Sequence, residues 1–105
     1  SGAAVGLEVT DVGTETDVNE DGEEYEYSWV TLDWWENAED LEEGYAIERR
    51  EWGSTYWSTI AEVEWNVDDY TDFEVEQGKI YNYRVKVYGF DTIAPYSNED
   101  CAEVP

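Results

Sequence analysis

The chain has 105 residues, a size that suits one domain with one core and leaves little room for a deep active-site cavity beside it. Apolar residues make up 41% and aromatics 16%, too many for a disordered chain, and no apolar run nears the ~20 residues of a membrane-spanning helix. Acids number 28 against five bases, and the resulting formal net charge of −23 makes nucleic acid and anionic membranes poor partners.

Period-two segments separated by Gly, Asn, Asp or Pro run from end to end, which predicts an antiparallel all-β domain over 1–105. Val5 to Val12 reads as the first strand, and Asn19-Glu20-Asp21-Gly22 as a turn with a strong hairpin signal in Asp21-Gly22. Residues 1–25 thus form an extended first strand and a long first loop. Glu24 to Trp35 is a long strand with Val30, Leu32 and Trp34 on one face and Thr31 and Asp33 on the other. Glu36 to Glu43 is the only helix-friendly stretch, too short and acidic for more than one turn. Gly44 opens a third strand, in which Tyr45 and Ile47 alternate with Ala46 and Glu48. Tyr56 to Ala61 follows the Gly53-Ser54 turn, and Val63, Trp65 and Val67 continue the alternation. Tyr70 to Val75 is the fifth strand. Ile80 to Tyr88 places Tyr81, Tyr83, Val85 and Val87 on one face, and Tyr96 to Val104 closes the chain after a loop over 89–95. Seven such strands with inward alternation fit a two-layer sandwich.

These residues resemble fibronectin type III domains, over about residues 26–105. Val30-Thr31-Leu32-Asp33-Trp34 resembles the family's second strand with its buried Trp, and Gly44-Tyr45-Ala46-Ile47-Glu48-Arg49 its third. Trp57 with Ile60-Ala61 is similar to the fourth. The segment from Tyr70-Thr71-Asp72 through Gly78 to Tyr81-Asn82-Tyr83-Arg84-Val85 matches the family's tyrosine corner, with Tyr81 at the corner position. The resemblance implies a seven-stranded antiparallel immunoglobulin-like β-sandwich with Trp34, Tyr45, Ile47, Asp72, Tyr81, Tyr83 and Val85 as structural positions. Its wording is nearest to bacterial and archaeal modules of secreted or cell-surface proteins. It therefore implies a secreted or cell-surface location, neighbouring domains or protein partners, and a structural, spacer or protein-interaction role. Thr10 to Glu24 is longer than the family's usual link between strands one and two, and no Arg-Gly-Asp tripeptide is present.

Catalysis is not expected. The chain has no histidine, the commonest general base near neutral pH, and its lone cysteine has no such base to activate it. Cys101 reads as a small buried hydrophobe of the last strand, with an intermolecular disulfide as the other reading. Asp17, Asn19 and Asp21 followed by Gly22 resemble the opening of a calcium loop, but the twelfth position is Ser28 where such a loop needs a bidentate acid. A solvated hairpin turn is the competing reading, and no cofactor other than calcium is in question.

Tyr25, Tyr27 and Trp29, joined by Trp35, have outward parity and read as an aromatic contact stripe, unless a bulge near Ser28 or the first loop covers them. Trp52 and Tyr56 read as packing around the Gly53-Ser54 turn. Arg50, Arg84 and Lys86, with Arg49 beside them, fall on one outer face. They read either as cross-strand partners of Glu48 and Glu51 or as a patch for an acidic face of another copy. Two alternative functions stay open: a self-assembling subunit of a surface filament, and a sugar-contacting accessory module of a polysaccharide-degrading enzyme. The acidity fits a solvated surface, adaptation to high salt, engineered surface charging or cation binding.

Overall fold

The computed structural model describes residues 5–35, 43–89 and 96–105. The helix-friendly stretch up to residue 42 and positions 90–95 of the last loop lie outside them. The described residues form strands β1 (Val5–Val18), β2 (Glu24–Trp35), β3 (Glu43–Glu51), β4 (Ser58–Glu64), β5 (Asp69–Asp72), β6 (Ile80–Gly89) and β7 (Asp100–Glu103). They make two antiparallel sheets, ordered β1-β2-β5 and β4-β3-β6-β7.

Period-two side chains meet between the sheets because each strand has one face that can leave water. Val30, Leu32 and Trp34 of β2 face Tyr45 and Ile47 of β3 and Tyr81, Tyr83, Val85 and Val87 of β6 in one buried cluster. Ala102 and Val104 close it from the last strand. Trp34 and Tyr45 set their ring centroids 5.5 Å apart in a tilted pair. The Tyr81 hydroxyl accepts the Glu76 amide at 2.9 Å, which ties the β5–β6 crossover to the core.

The first strand is longer than its sequence signal. It runs to Val18, so much of the stretch read as a loop is paired with β2, and the turn is confined to residues 19–23. Two register shifts in β1, between Val5 and Glu8 and between Val9 and Asp11, each insert a residue against β2. They bring Leu7, Val9 and Val12 to the core, which no strict alternation would do. Gly22, at a φ of +80°, takes the left-handed conformation that closes the turn, and its amide donates to the Asn19 carbonyl at 3.1 Å.

The last strand is shorter than predicted: before Asp100 the Ser97 amide donates to the Val85 carbonyl at 2.7 Å, but the return bond, from the Val85 amide, goes to Ser97 Oγ, and the contacts to β1 are made by side chains. Asn98 Oδ1 accepts the Leu7 amide and Asn98 Nδ2 donates to the Leu7 carbonyl, at 2.9 and 3.0 Å. Asp100 Oδ2 accepts the Val9 amide at 2.9 Å. These paired contacts advance together along both segments, so β1 and the closing strand run in the same direction. The chain enters beside Asn98 and leaves at Val104, which bonds the backbone of Gly78 and Lys79 at the other end. Cys101 corrects its buried reading: it is exposed, since Ala102 and Val104 hold the inward parity of this segment. Trp52 and Tyr56 are likewise exposed and do not pack around their turn.

Candidate functional site

The β2–β5 ladder stops at Val30↔Asp72, whereas the β1–β2 ladder continues through Gly13↔Trp29 to Val18↔Glu24. The hairpin therefore extends as an arm past the sandwich. Thr14 and Ser28 share a 2.6 Å hydrogen bond on its inner face, and Ser28 is the last buried residue there. Beyond it Thr16, Glu24 and Glu26 are exposed, so among the described residues no layer lies beneath the arm's end. A 14-residue strand spans ~46 Å at ~3.3 Å per residue, which accounts for the molecule's 49 Å long axis.

Register places Glu15 opposite Tyr27 and Asp17 opposite Tyr25 on the arm's outer face. A row of carboxylates thus runs beside a row of rings. Tyr25, Tyr27 and Trp29 are in series, with centroids 6.2 and 5.6 Å apart, and Phe73 joins Tyr27 at 6.5 Å. Phe73 is 61% exposed and Tyr25 46%. Partial desolvation, with the Glu15 and Asp17 charges, pushes the Tyr27 hydroxyl above its ordinary value. At the inner end of the row Trp29 is half-buried. The Trp29 indole lies across Gly13, where an added Cβ would come within 2.3 Å of Cζ2, and Trp29 Nε1 donates to Asp11 at 2.9 Å. Phe73 had no signal in the sequence beyond its own type; it joins the stripe because β5 places it next to the arm.

Trp35 lies apart from this row, at the other end of β2. Its indole rests on Gly6, whose φ is +67°, and it is 73% exposed. With Glu8, Asp33 and Asp68 it lines a hollow of about 500 Å³.

The basic residues are brought together, but as a ladder with aromatic rungs. Arg84 lies between two rings, with its Cζ 4.1 Å from the Trp57 centroid and 3.6 Å from that of Tyr96. Arg50 also lies over Trp57, with its Cζ 4.8 Å from the centroid, and the Lys86 ammonium is 5.2 Å from the Tyr96 centroid. Beneath the ladder, buried Glu48 accepts Arg84 Nε at 2.8 Å and Nη2 at 2.7 Å. Tyr96 donates to the same carboxylate at 3.3 Å. Arg50 pairs with Glu99 at 3.6 Å, and Glu51 pairs with Lys79 at 3.4 Å. Trp57 and Tyr96 are the residues that sequence reasoning missed here: the sequence reads both as strand residues, whereas β4 starts at Ser58 and β7 at Asp100, so strand parity does not place them.

Arg49 is not part of this face. It continues the inward parity of Tyr45 and Ile47 and reaches Asp72 of the opposite sheet at 2.8 Å. Asp72 Oδ2 also accepts the Tyr83 hydroxyl at 2.8 Å, and its Oδ1 accepts the Glu74 amide at 3.0 Å. Burial and the Asp72 charge push the Tyr83 hydroxyl well above its ordinary value. Burial pulls the Arg49 guanidinium down, but the hydrogen bond and charge of Asp72 outweigh it and raise it overall.

At the turn, Asn19 Oδ1 accepts the amides of Asp21 and Glu23 at 2.9 and 3.0 Å, and Asp17 Oδ1 accepts the Val18 amide at 2.8 Å. Two of the three side chains read from the sequence as calcium ligands, Asp17 and Asn19, thus accept backbone donors of the turn. Among the described residues, no three or more Asp, Glu, Cys or His side chains are grouped where they could share a metal ion.

No protein-family model matches the sequence, and no curated protein matches it. Solved structures do. A myokine structure aligns with a TM-score of 0.69 at 16% identity, over 99% of this chain and 97% of that one. An Fn3-like protein from Clostridium thermocellum aligns at 0.62 and 23% identity, over 98% and 92%. The FN1-FN3 domains of chicken CNTN1 align at 0.65 and 14% identity, over 97% of this chain and 33% of that one. Two antiparallel sheets in the order β1-β2-β5 and β4-β3-β6-β7, a tyrosine bonded to the crossover and these neighbours together make this a fibronectin type III-like fold.

Proposed function

We propose that the chain is a non-catalytic structural and protein-interaction module of a larger secreted or cell-surface protein. The observation that carries this reading is the course of the chain, which enters beside Asn98 and leaves at Val104 at the opposite end. A body threaded this way sets both the distance and the direction between its neighbours. The inter-sheet tie from Arg49 through Asp72 to Tyr83 supports it, because a spacer must not shear. The likeness to the domains of chicken CNTN1 supports it at the level of fold. The test is labelling of intact cells that make the parent protein with a membrane-impermeant amine reagent, with Lys79 and Lys86 as acceptors in this domain. The expected result is labelling before lysis; labelling only after lysis contradicts the reading.

Trp35 favours a second reading, as a sugar-contacting accessory module. Its indole is backed by Gly6 and bordered by acceptors on Glu8, Asp33 and Asp68, an arrangement suited to stacking on a sugar ring. A glycan array separates the readings: retention of a sugar by the native domain and its loss in Trp35→Ala supports the second.

A further inference from the structure

We propose that the outer face of the β1–β2 arm docks an extended basic segment of a partner protein, one presenting Lys or Arg at every second residue. The inference rests on the module reading above and names the partner's chemistry. Charge selects a cation: Glu15 and Asp17 flank the rings, and the whole molecule carries −23. The rings of Tyr25, Tyr27 and Phe73 offer faces to that cation while covering its apolar stem. Period selects the shape. Rings and carboxylates recur every second residue along the arm, and an extended chain laid along it repeats its own side chains at the same spacing.

The molecule already binds cations in this way. Arg84 sits between Trp57 and Tyr96 with its charge met by Glu48. The arm has the same ingredients, rings and carboxylates, without the cation. A second copy of this chain is a poor source for it. Arg84 is already enclosed, Arg50 is on Trp57 and Glu99, Arg49 is committed to Asp72, Lys79 pairs with Glu51 and Glu76, and Lys86 lies over Tyr96. Exposed rings on a two-stranded arm with, among the described residues, no layer beneath its end are the kind of surface that a partner completes.

The test uses the whole chain and two fluorescent peptides of the same composition, one alternating Lys and Thr and one with its lysines in a single block. Anisotropy is read at fixed salt. The alternating peptide should bind more tightly, and Tyr25→Ala combined with Phe73→Ala should weaken it about tenfold, the loss expected for two exposed cation–ring contacts. Trp52→Ala, which removes an exposed ring elsewhere, should leave binding unchanged. Both altered residues are on the surface, and an unchanged melting curve confirms the variant's fold. Equal binding of the two peptides, or equal losses in the arm and Trp52 variants, overturns the proposal and leaves general charge attraction. So does a dimer of the free chain that disappears with Arg84→Glu and Lys86→Glu, because the face would then belong to a second copy. None of these results touches the spacer reading, which stands or falls on the labelling of intact cells.

Discussion

Asp72 is where the two sheets are tied together by charge. It is 2% exposed, and its two oxygens accept from Arg49, Tyr83 and the Glu74 amide, so the cost of burying it is met by geometry. Asp72→Ala would strand Arg49 and the Tyr83 hydroxyl, and chemical denaturation should show a loss of about 3 kcal/mol. Tyr83→Phe should cost about 2 kcal/mol at neutral pH, as expected for a bond to a charged acceptor. The same variant has a pH signature. The Tyr83 hydroxyl is raised in the folded state, so its contribution is complete below the unfolded value of about 10 and is lost as pH rises above it. Above pH ~10 the native protein should lose up to about 1.4 kcal/mol per pH unit from this group, and Tyr83→Phe should remove that part of the slope.

At the scale of elements, close backbone approach governs which residues can change. A Cβ on Gly44 would meet the Val63 carbonyl of β4 at 2.4 Å, and a paired backbone oxygen cannot step aside. Gly44→Ala should therefore cost about 1–3 kcal/mol in thermal or denaturant melts. Strand parity was readable wherever one face is buried and the ladder is regular, as in Val30-Leu32-Trp34 and in Tyr81-Tyr83-Val85-Val87. It was not readable in β1, where two bulges reset the phase and acids such as Glu15 and Asp17 disguise a strand that needs no core. Arg49 could have been placed from Tyr45 and Ile47, whose parity it continues. Glu48 could not, because its burial on the outer face depends on Arg84 and Tyr96 meeting above it. The aromatic stripe was visible in sequence as a row; that it forms an arm, with Phe73 beside it, follows only from where β5 stops.

At the scale of the whole molecule, a charge of −23 has two consequences. It protects the arm's unpaired edges from sheet-to-sheet aggregation, since two copies repel. It also strains the folded state through self-repulsion, which salt relieves as the screening length falls from about 10 Å at 0.1 M to about 3 Å at 1 M. The melting temperature should rise across that range of sodium chloride. Millimolar calcium should add nothing beyond its ionic strength, given that Asn19 at the turn is already engaged by backbone amides. Scanning calorimetry checks both.

Amide hydrogen exchange of the free chain tests the division into sandwich and arm most directly. Amides of β3 and β6 and of residues 30–34 should exchange only with global unfolding. Those of residues 16–18 and 24–26 should exchange through local opening at much lower free energy, because there the hairpin is a two-stranded ribbon with no layer beneath it among the described residues, and such a ribbon is marginal. Protection of the arm equal to that of β3 and β6 in the free chain would contradict the account, since it would mean that the rings and carboxylates of that face are already covered.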